Sequence, residues 1–268
     1  MSWSASGCTF CLAAMLLLLS AASAAASATV RFVHAVPGAE PATLTVSVSG
    51  ADSSTAPVSF GAASGPLSVA AGTAKMTAAA GGKTLATNEQ ALEDGKSYTV
   101  VAIQKQPNDP KLGVSLSVFP DATAEPGKAL VRAVNVAPEA GEPDVRVDDT
   151  VIAPKLAYAA AGEYSPVSPG AHDVTVTRAG GSGGALATKK GVPLTAGTST
   201  TAIVLGSGGA TMRVLTLVDS AAPAGAPATG YGGMAAQERG PSPAILALLG
   251  ALAGAVLGAA GWAFARRR

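Results

Sequence analysis

Val30-Arg-Phe-Val-His-Ala-Val-Pro37 and Val131-Arg-Ala-Val-Asn-Val-Ala-Pro138 spell nearly the same segment twice, at an offset of 101 residues. Two further matches keep the order. Leu67-Ser-Val-Ala-Ala-Gly-Thr73 aligns with Ser165-Pro-Val-Ser-Pro-Gly-Ala171 at an offset of 98, and Leu92-Glu-Asp-Gly-Lys96 aligns with Leu194-Thr-Ala-Gly-Thr198 at an offset of 102. Three matches in one order, with the drift falling between them, mean a duplicated domain; a period of about 100 residues is too long for a solenoid repeat.

Each copy reads as β structure. Leu44–Val48, Val114–Val118 and Val174–Thr177 alternate apolar and polar residues, the period-two pattern of a strand with one buried face. Tyr98–Ile103 and Thr201–Leu205 are more continuously apolar, which predicts central strands. Turn-forming Gly, Pro, Asn and Asp punctuate them. Short strands at such spacing predict an all-β chain of two tandem Ig-like antiparallel β-sandwich domains, the first over residues 29–122 and the second over 128–219. Residues 29–220 hold Phe32, Phe60, Tyr98, Phe119, Tyr158 and Tyr164 as their aromatic residues and no tryptophan. Their cores are therefore expected to be lean, filled mainly by Val, Leu, Ile and Ala.

These residues resemble a known family. Val30–Pro37, Phe60-Gly61, Val69-Ala-Ala-Gly72 and Gly95-Lys-Ser-Tyr-Thr-Val-Val-Ala102 are similar to the DUF4397 pattern, and so are Val131–Pro138, Pro143–Asp149, Leu156-Ala-Tyr158 and Val167-Ser-Pro-Gly170. The usual His is Asn135 in the second copy, and the first copy lacks the acidic residues of the family's VDVYVDG segment. The resemblance implies tandem Ig-like bacterial surface domains with no assigned function.

The two ends carry the rest of the hydrophobicity. Residues 9–19 form an apolar run followed by small residues. That run is shorter than the ~20 residues a membrane span needs, so residues 1–28 read as a secretory signal peptide with cleavage after Ala26 or Ala28. Cys8 and Cys11 both fall within it, which leaves the mature chain without a disulfide or a Cys-ligated metal. Residues 244–265 are uncharged and run into Arg266, Arg267 and Arg268. At ~1.5 Å per residue this stretch covers roughly 33 Å, the thickness of a bilayer core. The arginines suit its cytoplasmic side. This predicts one C-terminal transmembrane helix, a three-residue basic tail at 266–268, and an Ala/Gly/Pro-rich stalk at 220–243 with a reach of roughly 25–30 Å. Gly250, Gly254 and Gly258 recur every fourth residue, a spacing that would admit a second helix and a homodimer.

The search for chemistry yields no catalytic constellation. His34 and His172 lie at non-equivalent positions of the two copies and are expected in structural or solvated roles. Asp144, Asp148 and Asp149 could suit a hard cation, but as a strand running into a turn they read first as turn and surface residues. Gly180–Gly184 lacks the Lys-Ser/Thr and the helix of a phosphate loop. Without the three terminal arginines, 15 basic residues face 17 acidic ones, a balance unsuited to nucleic acid. No cofactor, metal site or enzyme activity is expected. The expected role is a plasma-membrane protein with its domains outside the cell, acting as a non-catalytic binding, adhesion or structural module. Contact with an envelope component would fall to the loops at Ala51–Pro57 and Gln104–Lys111. The alternative is an accessory subunit of an envelope complex, recruited through the span.

Overall fold

The computed structural model describes residues 26–106, 113–181, 183–206 and 212–221. The signal peptide, the stalk, the span with Gly250, Gly254 and Gly258, and the basic tail expected above lie outside these residues, apart from 26–28 and 220–221, as does the expected contact segment Gln104–Lys111 beyond residue 106. Among the described residues, no helix is long and apolar enough to cross a membrane.

The first copy contains β1 (Ser27–His34), β2 (Ala42–Val48), β3 (Ala51–Ser54), β4 (Leu67–Ala70), β5 (Gly72–Ala80), β6 (Lys83–Leu92), β7 (Ser97–Gln104) and β8 (Val114–Pro120). The second contains β9 (Ala129–Val136), β10 (Asp144–Val147), β11 (Thr150–Ala153), β12 (Ser165–Val167), β13 (Gly170–Thr177), β14 (Ala185–Leu194), β15 (Thr198–Leu205) and β16 (Arg213–Ala221). Each copy forms two four-stranded sheets. The inner sheets run β4-β1-β7-β8 and β12-β9-β15-β16, and the outer sheets run β3-β2-β5-β6 and β11-β10-β13-β14. The strand order is the same in both copies, so the duplication read from the sequence is a duplication of topology.

The expectation of antiparallel sheets needs one correction. β1 pairs with β7 in parallel, with Val30 opposite Tyr98, and β9 pairs with β15 in parallel, with Val131 opposite Thr200. Between β1 and β7 the chain builds the four outer strands β2, β3, β5 and β6 and lays β4 on the far side of β1. That long excursion is the crossover a parallel pair requires. The other pairings between named strands are antiparallel.

A second correction concerns Ala51–Pro57, expected as a loop. Its first four residues are β3, paired to β2 with Val48 opposite Ala51. Ser49 and Gly50 both take positive φ, 50° and 84°. Such a two-residue turn matches the twist of adjoining strands and closes a tight hairpin.

Three apolar cores result. Alternation on β2 sends Leu44, Val46 and Val48 inward against Phe32, Met76, Tyr98 and Val100. The second core holds no aromatic residue and is built of Val131, Val145, Val147, Val174, Val176, Leu194, Val204 and small neighbours. The third lies between the inner sheets of the two copies and joins Val33, Val101 and Ile103 to Val134, Val136, Ile203 and Leu205. β1, β7, β9 and β15 are thus covered on both faces. This is why their sequences lose the alternation seen in β2 and β13.

Burying a Val, Leu or Ile side chain contributes ~1.5–3 kcal/mol before entropy is counted, so the third core couples the copies strongly. Calorimetry of the full chain should show one unfolding transition for residues 27–221. Val101→Asp, which places a carboxylate in the third core, should split it into two, whereas two transitions in the unaltered protein would contradict the coupling.

Candidate functional site

The most concentrated polar chemistry lies at the edge of that third core. On β1 the side chains of Val30 and Phe32 face the outer sheet of their own copy, so the intervening Arg31 and Val33 face the other copy. The same alternation on β9 turns Arg132 and Val134 the same way. Arg31 Nη1 donates to the Val218 carbonyl at 2.6 Å, and Arg132 Nη1 donates to the Pro120 carbonyl at 2.7 Å. Each copy therefore holds the end of the other's last strand, the reciprocal pattern of an isologous interface.

Reciprocity stops there. Arg132 is buried and makes a direct ion pair with Asp121 at 2.7 Å, both side chains being almost sealed from solvent at 4% and 3% exposure. Its Nε donates to Thr201 Oγ1 at 2.8 Å, and its guanidinium lies over the Tyr164 ring at 4.5 Å and the Phe119 ring at 5.9 Å. Thr99 Oγ1 donates to Asp121 Oδ1 at 3.0 Å. In the second copy, Thr201 Oγ1 and Tyr164 OH donate to Asp219 Oδ2 at 2.7 Å and 2.8 Å. The other oxygen of Asp219, Oδ1, is buried without a hydrogen-bond partner.

Burial dominates the protonation of this cluster. It raises the Asp121 carboxyl above the usual carboxylate range, against the pull of Arg132. It pushes Asp219 up to about 6, with the charge of Asp121 adding to the rise. Burial, then Asp219, also raises the Tyr164 phenol.

Sequence reasoning singled out none of these residues as a site. One signal was present: a lone arginine at the matching position of two otherwise apolar strands, Arg31 and Arg132. A second was an aspartate just after or within each copy's last strand, Asp121 and Asp219.

The residues that sequence reasoning did weigh are placed apart. His34 is fully buried. Its Nε2 meets the Glu40 carbonyl at 3.2 Å and its Nδ1 meets the Val36 amide at 3.5 Å. Burial lowers its pKa, so the ring is neutral, with Nε2 as donor and Nδ1 as acceptor. Asn135 makes the matching bonds in the second copy, donating to the Gly141 carbonyl at 2.9 Å and accepting from the Ala137 amide at 3.1 Å. A neutral imidazole offers one donor and one acceptor, whereas a carboxamide offers an acceptor and two N–H donors, and Asn135 gives its second donor to the Leu156 carbonyl at 3.0 Å. Asn135 therefore reproduces both bonds of His34 at this corner and adds a third.

The three aspartates do not converge. Asp144 accepts from the Lys155 and Gly180 amides at 2.8 Å each. Asp148, at φ 49°, holds the Asp173 amide and His172 Nδ1, while Asp149 lends its carbonyl to Arg146. No group of three or more His, Cys, Asp or Glu among the described residues is placed to hold a metal. His172, expected to be solvated, is pinned between Asp148 at 2.7 Å and the Ser168 carbonyl at 2.8 Å. The hydrogen bond from Asp148 raises its pKa, and the Asp173 amide and His172 lower that of Asp148.

An open groove of about 540 Å³ follows the free edge of the first sandwich, between Ser54–Ser59 and Ala62–Leu67. It offers hydroxyl groups and small apolar side chains. Beside it, Gly61 at φ 70° lies under the Arg213 guanidinium, which donates to the Phe60 carbonyl at 3.3 Å. A side chain at Gly61 would collide with that arginine.

The duplicated sandwich with these marks defines a class. The pattern of the domain of unknown function DUF4397 matches residues 28–146 and again 129–229. The chain belongs to the DUF4397 family and carries it in tandem. No curated protein matches the chain. A solved leucine-rich repeat protein from Bacteroides thetaiotaomicron VPI-5482 is similar over 67% of this chain at 15% identity, with a TM-score of 0.19. The chain spans only 26% of that protein's length.

Two sets of substitutions check the structural roles. Arg132→Met should destabilise the protein by ~3–5 kcal/mol, because it strands the buried Asp121. Arg31→Met, at a half-exposed position, should cost under ~1 kcal/mol; urea unfolding measures both. His34→Asn should stay within ~1 kcal/mol of the unaltered protein, whereas His34→Ala should lose ~1–3 kcal/mol by leaving the Val36 amide without its acceptor.

Proposed function

We propose that this is a membrane-anchored protein of the bacterial cell surface, whose tandem sandwiches form a non-catalytic module for binding, adhesion or structural support. The observation that carries the reading is the uncharged stretch at 244–265 running into Arg266–Arg268, placed after a duplicated β domain. The buried polar residues support it. His34, Asn135, Asp144 and Arg132 bond to backbone or seam partners, as frame residues do.

β1 also informs the leader. Ser27 donates its amide to Asp94 at 2.7 Å, and Ala28 is buried opposite Val69. Cleavage after Ala26 preserves this edge, whereas cleavage after Ala28 removes two residues of the strand.

Contact with a partner is best served by the outer sheets and the groove. Ser54, Thr45, Thr77 and Thr87 form one row of hydroxyl groups across the first outer sheet. The segment Ser54–Pro57, which belongs to the loop expected from sequence, forms one wall of the groove. The Gly250, Gly254 and Gly258 spacing supports a second reading, an accessory subunit recruited through the span. Under that reading, Gly254→Leu abolishes co-purification of its partner in mild detergent.

Truncation before residue 244 tests the anchor. The full chain should sediment with membranes and need detergent for release, while the truncated chain should appear in the medium with Ser27 at its amino terminus. Recovery of the full chain from cytosol without detergent would refute the proposal.

A further inference from the structure

Two carboxylates share one buried guanidinium where the two copies meet. From the first copy, Asp121 follows β8, Thr99 stands on β7, and Arg31 on β1 bonds the carbonyl of Val218, the residue before Asp219. From the second, Arg132 stands on β9, Thr201 on β15, Asp219 on β16, and Tyr164 immediately precedes β12. Arg132 touches Asp121 directly but reaches Asp219 only through the Thr201 hydroxyl, which accepts from Nε and donates onward. By the reciprocity of the interface, Arg31 is the cation that would answer Asp219. It is instead half-exposed and spends Nη1 on the Val218 carbonyl. The charge of Arg31 also acts on Asp121, so with both acids ionised it is Asp219 that lacks a cation of its own, beside a carboxylate oxygen with no donor.

We propose that this cluster is a proton-operated latch between the two copies. With a proton on Asp219 the buried set is neutral and the seam is closed; with Asp219 ionised the uncompensated charge loosens the seam. Asp219 takes the proton because Asp121 is already satisfied by Arg132 and Thr99. The direction follows from linkage. With the seam closed, Asp219 keeps its proton up to about pH 6, whereas once the seam opens to water it loses it near the ordinary carboxylate value of ~3.9. Between these limits the closed seam binds the extra proton, so this contribution to its stability falls as pH rises through the window and returns on acidification. The latch goes beyond the surface-module reading and stands whether or not the chain is anchored in a membrane.

Hydrogen exchange on the full chain, corrected for intrinsic rates, tests it at about pH 7.5 and about pH 5. Amides of the seam strands β1, β7, β9 and β15 should gain about tenfold protection at the lower pH, while those of the outer strands β2, β5, β10 and β13 change by less than about twofold. Asp219→Asn, a neutral isostere, should show the high protection at both pH values. Seam protection that ignores pH, a change spread evenly over all strands, or a pH response that survives in Asp219→Asn would each overturn the latch. Carboxyl ¹³C titration of the unaltered protein provides a second readout that needs no variant. A midpoint for Asp219 above about 5 supports the proposal, and one at or below about 5 refutes it.

Discussion

The burial of the Arg132 guanidinium between the two copies is the constraint around which the rest is arranged. An arginine cannot shed its charge in a protein, and a desolvated cation is tolerated only when its donors are met. Here they are met by Asp121, the Pro120 carbonyl and Thr201, with the Tyr164 ring against its face. The first two partners belong to the first copy and the last two to the second. The arginine is therefore satisfied only when the copies are together. The apolar contacts among Val33, Val101, Val134 and Ile203 supply area, but such contacts tolerate sliding; the guanidinium fixes the register.

The chain is best understood as an internal dimer whose halves have diverged under a shared frame. The frame repeats in strand order, in the parallel central pair, in the corner held by His34 or Asn135, and in the reciprocal arginine contacts. Divergence appears in what fills it. Phe32 in the first core stands where Ala133 stands in the second, and Pro66 in the first copy stands where Tyr164 stands in the second. The tyrosine converts one half of the interface into a closed polar cluster and leaves Arg31 in the other half partly exposed. Fusion into one chain permits this, because an identical pair would have to carry the same residue on both sides.

The candidate site was much less legible than the fold. Alternation along β2 and β13, and continuous apolar runs in β7 and β15, reflect which faces meet water, and each can be read from a few neighbouring residues. The cluster at the seam unites Arg132, Asp121, Thr201, Asp219 and Tyr164 from five separate segments, and no local pattern marks them as neighbours. The hydrogen bond of His172 was hidden from sequence for the same reason. Its partner Asp148 lies 24 residues away in sequence, brought near by the pairing of β10 with β13.

By itself, the sequence determined the duplication, the β class, the lean cores and the apolar ends, since these depend on composition and on periodicities of two or of about a hundred residues. Tertiary structure alone decided that the central strands pair in parallel, that the inner sheets cover each other, and that two acids compete for one arginine. Such outcomes depend on which surfaces meet after each copy has folded, and the energy of a buried charge is set by everything around it, not by its neighbours along the chain.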